Sequence, residues 1–265
     1  MHLPTLAVDQ SFSLLHATVL GIVEGITEFL PVSSTAHLIL ASKALGLGDS
    51  EFVKSFEIII QLGAILSVVV LYWSKIWRPE VFPKLVVAFL PTGIIGLTVY
   101  RLIKSYLLGN VNVVLATLFI GGVILILFDR FTTMNEREAD FNEITYGRAV
   151  SIGLFQSIAM IPGVSRSAAT IVGGSLVGVG KRTIVEFSFM LAVPTMLGAS
   201  ALDLVKSHSA LTGHFATLGV GFVVSFLTAI LAVKSFIAYI QRKNFAAFGW
   251  YRIALAVVYF FVFVR

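Results

Sequence analysis

The residues able to do chemistry in this 265-residue chain crowd into two short stretches, EGITEFLPVSSTAH at 24–37 and QSIAMIPGVSRSAAT at 156–170. The first sets Glu24, Glu28, Ser33, Ser34, Thr35 and His37 around Pro31; the second sets Ser165, Arg166, Ser167 and Thr170 behind Pro162. Glu24 and Glu28 are four residues apart and share a helical face. Two carboxylates that close repel unless a cation or proton lies between them, and a hard divalent ion, Mg²⁺ or Ca²⁺, meets that need with oxygen ligands. Arg166 carries a permanent charge on a planar fork suited to phosphate oxygens. Ser34 offers a hydroxyl, and His37, three residues on, can move a proton or attack a phosphoryl group itself. A proline ends a helix, and a Ser or Thr shortly after it favours the start of the next. Two such helix N-termini, if brought together, bind an anion.

These stretches are embedded in apolar sequence. The chain is 57% hydrophobic and only 12% charged, about half the charged fraction of a soluble domain, and its mean hydropathy is +0.95. That puts it in the membrane class. The absence of cysteine excludes disulfides and thiolate metal sites. The net charge of +5 is spread between apolar runs, which reads as membrane topology bias and gives no nucleic-acid surface. Residues 1–10 carry no Lys or Arg, so no cleavable signal is expected.

The expected fold is an all-α integral membrane protein with an inverted-topology repeat. Apolar runs at 11–30 and 35–47 flank Pro31, and runs at 149–161 and 167–179 flank Pro162. The shorter runs fall below the roughly 20 residues needed to cross a bilayer, so each pair reads as a re-entrant hairpin. Full spans are expected near 52–73, 84–100 and 112–129, then near 184–204, 214–233 and 249–264. Residues 1–129 and 149–265 form the two repeats, and 130–148 is the polar loop between them. Gly21 and Glu24 match Gly153 and Gln156 at an offset of 132; Pro31 and Ser34 match Pro162 and Ser165 at 131; Glu57 matches Glu186 at 129. Three crossings per half invert the second copy, so the hairpins enter from opposite faces. Eleven Lys and Arg fall on the face reached after the first crossing and six on the N-terminal face. The positive-inside rule then puts the 130–148 loop in the cytoplasm and both termini outside.

With those residues in view, EGITEFLPVSSTAH resembles the first signature of the undecaprenyl pyrophosphate phosphatase (bacitracin-resistance) family, and PGVSRSAAT at 162–170 resembles its second. FEIIIQLGAILSVVV at 56–70 and EFSFMLAVPTMLGASALDL at 186–204 are also similar to family segments. The resemblance implies hydrolysis of undecaprenyl pyrophosphate to undecaprenyl phosphate, the lipid carrier of cell-wall synthesis. It also implies a divalent metal, a bacterial plasma-membrane location and a site opening to the outer face. It makes Glu24 and Glu28 the metal carboxylates and Arg166 the phosphate-binding arginine, with Ser33, Thr35, Ser165, Ser167 and Thr170 lining the same loops. Ser34 attacking, with His37 or Glu28 as base, and His37 attacking, with Ser34 binding, both remain open. Ala36 and Ala168 depart from the family's usual glycine, which matters only if either position needs a positive φ.

Other polar residues carry structural expectations. Glu57 and Glu186 are expected to bond the hairpins, Gln61 and Asp203 to be structural, and Arg252 to anchor at an interface. Tyr72, Trp73, Trp77 and Trp250 are expected at the inner interface, and His2, His16, His208 and His214 at the surface. Small faces at Gly93/Gly96 and Gly173/Gly174/Gly178 are expected to border the lipid tail. The competing function is a lipid-phosphate or anion transporter on the same scaffold, and a homo-oligomer is compatible with the sequence.

Overall fold

The breaks at Pro31 and Pro162 lie at equivalent points of two similar runs of helices. The computed structural model describes residues 12–48, 50–106, 110–132, 139–207 and 214–265, leaving out the side chains of 100–106 and 202–207. The first run is α1 (Leu14–Thr27), α2 (Ser34–Ala44), α3 (Glu51–Ile76), α4 (Phe82–Tyr106) and α5 (Val111–Phe131). The second is α6 (Tyr146–Ser157), α7 (Arg166–Leu176), α8 (Lys181–Ser207), α9 (Phe215–Ile240) and α10 (Ala246–Tyr259), which a π-helical turn extends to Val264. The described residues contain no strand. Among the described residues, six helices are long and apolar enough to cross a membrane: α3, α4, α5, α8, α9 and the extended α10. Asp203, His2, His208 and the 133–138 part of the polar loop, with Glu136, Arg137 and Glu138, lie outside the described residues or side chains.

Each short helix starts with a cap that its sequence supplies. Ser13 and His16 cap α1 reciprocally, Ser33 caps α2, Thr145 caps α6 and Ser165 caps α7. These oxygens satisfy first-turn N–H groups that have no intrahelical partner. Asp129 at the end of α5 does the same for α10, accepting from Phe245 and Ala246 N–H at 3.3 and 3.2 Å.

The packing of the two runs is reciprocal. α1 lies against α9, and α6 lies against α4. At the first contact Thr228 Oγ1 reaches the Gly21 carbonyl at 3.4 Å. At the second, Thr92 Oγ1 donates to the Gly153 carbonyl at 2.9 Å. Close backbone approach explains the glycines. A Cβ on Gly21 would meet the Gly221 carbonyl oxygen at 2.8 Å, and one on Gly153 the Ala88 carbonyl oxygen at 2.1 Å. The described part of the polar loop is docked: Lys84 Nζ donates to the Phe141 carbonyl at 2.7 Å, and the Gly180 N–H donates to Glu143 Oε1 at 3.0 Å.

Several structural expectations change. Trp73, Trp77 and Trp250 are exposed, as interfacial residues should be, but Tyr72 is buried and meets Phe189 edge-on. Gly173 and Gly174 face Phe155 and Ile184, so they serve helix packing and form no open lipid groove. Gly178 has φ +84 in the turn after α7. Ala36 and Ala168 sit within helices, and Ser33 is the one described non-glycine residue with positive φ, at +72.

Candidate active site

α2 and α7 begin on opposite walls of one cavity of about 230 Å³. Its lining includes Glu28, Ser33, Ser34 and Thr35 from the first break, and Val164, Ser165 and Arg166 from the second. α1 ends at Thr27, so Glu28 hangs at the start of the turn, its N–H still bonded to the Glu24 carbonyl. The chain reverses through Pro31, and Ser33 adopts φ +72 before α2 starts. A non-glycine residue in that region costs about 1–3 kcal/mol. Its carbonyl and hydroxyl are both used, accepting from His37 N–H at 3.2 Å and Ala36 N–H at 3.4 Å. In the second break the bend falls on Gly163, at φ +87. A Cβ there would meet Thr117 Oγ1 at 2.0 Å, so only glycine fits.

Three side chains form a polar chain across the cavity. Ser34 Oγ donates to Glu28 Oε2 at 2.5 Å, and Arg166 Nη2 donates to Glu28 Oε1 at 2.8 Å. Arg166 is oriented from behind: Nη1 donates to the Ser188 carbonyl at 2.8 Å, and the guanidinium lies 5.8 Å from the centre of the Phe29 ring. Its Nε has no partner. The geometry gives a hydroxyl hydrogen-bonded to a carboxylate, with a cation holding that carboxylate's other oxygen. This is the arrangement of a nucleophile beside its base. First-turn N–H groups of α2 and α7 border the same space and suit oxyanions.

Glu24 is fully buried, and neither carboxylate oxygen has a hydrogen-bond partner. A buried carboxylate without a partner is costly, so its surroundings call for a cation or a proton. No group of three or more His, Cys, Asp or Glu occurs among the described residues that could hold a metal. Glu28 lines the cavity and Glu24 does not; these two carboxylates would leave most of the coordination of a divalent ion to water or substrate oxygens.

The other sequence candidates divide. Ser165 Oγ lies 3.0 Å from Ser167 Oγ, and Ser167 Oγ donates to the Leu30 carbonyl at 2.8 Å, tying the second break to the first. Thr170 Oγ1 meets Ser188 Oγ at 2.6 Å, which bolsters the residue that holds Arg166. Ser167 and Thr170 are buried behind the cavity wall. His37 does not line the cavity either. Its Nδ1 is 2.7 Å from the Ser33 carbonyl, which can only accept, so Nδ1 carries hydrogen. In the neutral ring Nε2 then accepts from the Tyr251 hydroxyl at 2.8 Å, and the two rings stack with an interplanar angle of 9°.

Gln61, expected to be structural, lines the cavity. Glu57 accepts from Ser42 Oγ of α2 at 3.1 Å, a bond to the first hairpin of the kind its position suggests. Glu186 does not bond the second hairpin. It pairs with Lys75 Nζ at 2.5 Å and Arg182 Nε at 3.1 Å, because α8 presents it to the basic ends of α3 and α8. Arg252 is no interface anchor: it is 1% exposed, with its guanidinium among backbone carbonyls near both breaks. Neither Tyr251 nor Arg252 emerges from the sequence as part of the site. The nearest signal is an arginine set inside an apolar run, with twelve apolar residues directly after it.

Comparison with known proteins agrees with the motifs. A family model described as bacitracin resistance protein BacA matches residues 17–258. A protein of Aquifex aeolicus is 49% identical over 93% of this chain and 98% of its own length. One of Bdellovibrio bacteriovorus is 51% identical over 93% and 94%, and one of a Sulfurihydrogenibium species is 47% identical over 93% and 98%. All three are named undecaprenyl-diphosphatase.

Proposed function

Because the chain belongs to the bacitracin resistance protein family, we propose that the cavity between its two breaks is where it carries out the family's reaction. The protein is a multi-pass membrane phosphatase that hydrolyses undecaprenyl pyrophosphate to undecaprenyl phosphate and inorganic phosphate. Bacitracin resistance follows the family name, and a role in the cell wall follows from the lipid carrier. The observation that carries the site reading is the Ser34–Glu28–Arg166 chain, at 2.5 and 2.8 Å, drawn from both breaks.

Ser34 Oγ attacks the terminal phosphorus and its proton passes to Glu28. The bond from that phosphorus to the bridging oxygen breaks, and undecaprenyl phosphate leaves with its charge held by Arg166. Water then attacks phospho-Ser34, the bond from phosphorus to Ser34 Oγ breaks as Glu28 returns its proton to that oxygen, and inorganic phosphate departs keeping the protons of the water, which leaves Glu28 ionised as at the start. Positioning and charge neutralisation dominate this kind of transfer. A divalent cation on Glu24 and Glu28, Mg²⁺ by preference over Ca²⁺, would supply further charge neutralisation at the phosphates. Ser33, Thr35 and Ser165 bind the head group from the cavity wall, while Ser167 and Thr170 hold the wall itself. His37 acts through Ser33, whose carbonyl it fixes. The cavity accepts a pyrophosphate head and leaves the prenyl tail outside among the helices.

The reciprocal contacts of α1 with α9 and α6 with α4 support an inverted repeat whose short helix pairs are re-entrant. The eleven-to-six distribution of Lys and Arg supports a plasma-membrane orientation with both termini, and the cavity mouth, on the outer face. The test is phosphate release from farnesyl pyrophosphate by detergent-purified protein, with Mg²⁺ or with a chelator, in the wild type and in Ser34→Ala. Metal-dependent release that Ser34→Ala loses is the expected result. Release that persists in Ser34→Ala removes the serine from the mechanism, and no release by folded wild type removes the activity.

A further inference from the structure

Among the described residues, Arg252 is the most deeply buried cation that the reaction leaves unused. Its guanidinium has no carboxylate partner and lies among four backbone carbonyls. Nε donates to the Leu118 carbonyl at 3.3 Å and Nη2 to the Thr117 carbonyl at 3.2 Å, both on α5. Nη1 donates to the Pro31 carbonyl of the first break at 3.3 Å, and Nη2 also to the Gly163 carbonyl of the second at 3.1 Å. Each of these two carbonyls lies exactly two residues before an N-cap, Ser33 or Ser165.

We infer that Arg252 is a positioning residue, clamping the two breaks at one distance so that Ser34 and Glu28 on one face Arg166 on the other. This rests on reading the cavity as the reaction site. A buried charge is expensive unless every hydrogen finds an acceptor, and strong bonds to charged donors repay part of that cost only in a fixed geometry. The planar fork of arginine suits that geometry; a lysine ammonium is a point donor on a thinner stem and spans fewer acceptors. α5 is shaped for the clamp. A Cβ on Gly121 would meet Arg252 Nη2 at 2.2 Å and Cζ at 2.8 Å, so Gly121 leaves the room the guanidinium occupies. Thr117 adds a separate tie, its Oγ1 donating to the Pro162 carbonyl at 2.7 Å. Because the guanidinium does not line the cavity, its effect on the reaction passes through the carbonyls it holds.

The test compares Arg252→Ala, Arg252→Lys, Gly121→Ala and the Arg252→Ala/Gly121→Ala pair, in detergent with Mg²⁺ and farnesyl pyrophosphate. Rates are expressed per folded molecule, and hydrogen exchange is followed in the peptides covering 29–37 and 161–169. A misplacement of about 1 Å can cost about 100-fold in rate. Arg252→Ala is therefore expected to lower kcat about 100-fold while KM moves far less, with Arg252→Lys recovering only part of the loss. Gly121→Ala, which keeps the arginine and only crowds it, is expected to lower kcat in the same way. The double variant is expected to be no slower than Arg252→Ala alone, because both changes act on one clamp. Exchange is expected to quicken in both peptides for every variant. Unchanged kcat per folded molecule, additive losses in the double variant, or unaltered exchange in both peptides would each overturn the clamp. Wild-type protein without phosphate release would instead overturn the reaction, and the exchange readout would still judge the clamp. If Arg252→Ala fails to fold, Arg252→Lys and Gly121→Ala carry the same comparison.

Discussion

The two breaks are built alike and charged oppositely. Both follow a short helix, both bend at a residue with positive φ, and both hand over to a helix capped by serine. Yet at matched positions the first has Glu24 and His37 where the second has Gln156 and Ala168, and the second has Arg166 where the first has Thr35. Gln156 shows what the neutral copy does. It is buried, and its Nε2 donates to Thr92 Oγ1 at 2.8 Å and Thr195 Oγ1 at 3.1 Å, serving packing between α4, α6 and α8. Glu24, at the matching position of the first run, has no such bonds to threonine, and Gln156 shares with it only an unpartnered Oε1. The first break thus brings an acid, Glu28, and the second a cation, Arg166, to the lining of one cavity. Ser34 and Arg166 meet through Glu28 because the walls differ.

That contrast can be broken most severely at the mirror serines. Ser34→Ala is expected to lower kcat by about a thousandfold or more, since it removes an activated nucleophile. Ser165→Ala, its counterpart, is expected to cost chiefly the cap of α7, about 1 kcal/mol in unfolding free energy, with a much smaller loss of rate. Parallel kinetics and thermal denaturation of the two variants check the pair; equal rate losses would erase the proposed division.

The next contrast is Glu24→Gln against Gln156→Glu. Glu24→Gln is expected to lower activity about 100-fold at low Mg²⁺ and to shift the Mg²⁺ dependence to higher concentration. Gln156→Glu should barely alter that dependence while destabilising the fold by about 1–3 kcal/mol, because a buried acid would replace an amide whose nitrogen donates to Thr92 and Thr195. Metal titrations and denaturation curves separate the outcomes.

A smaller effect is expected at His37. Its ring nitrogens are engaged by Ser33 and Tyr251, outside the cavity lining. Tyr251→Phe, which leaves the imidazole but removes its partner, is expected to cost about 0.5–1.5 kcal/mol of stability and less than about tenfold in rate. A loss as large as that of Ser34→Ala would return His37 to the role of nucleophile.

How much of this was legible beforehand follows from which interactions are local. The six long helices were readable because each is a sustained apolar run. The breaks were readable because Pro31 and Pro162 are followed within a few residues by capping serines. Glu28, Ser33, Ser34, Thr35, Ser165 and Arg166, all drawn from those two motifs, line one cavity. Arg252 was not legible, because its partners are backbone carbonyls up to 221 residues away and no residue type announces a carbonyl acceptor. Tyr251 was hidden likewise, 214 residues from His37. Gly173 and Gly174 misled because a small-residue stripe looks the same whether it faces a lipid or, as here, Phe155 and Ile184. Glu57 and Glu186 are sequence counterparts with different partners, since only α8 is flanked by Lys75 and Arg182.

The most direct test of a site shared between the breaks is the rate of phosphate release from farnesyl pyrophosphate in Glu28→Gln and Arg166→Ala, measured in Mg²⁺ on protein shown to be folded. One substitution strips the acid wall and the other the cationic wall. The account predicts that either alone lowers kcat/KM by about 100-fold or more. Near-wild-type release from either variant would contradict it, because one break would then suffice.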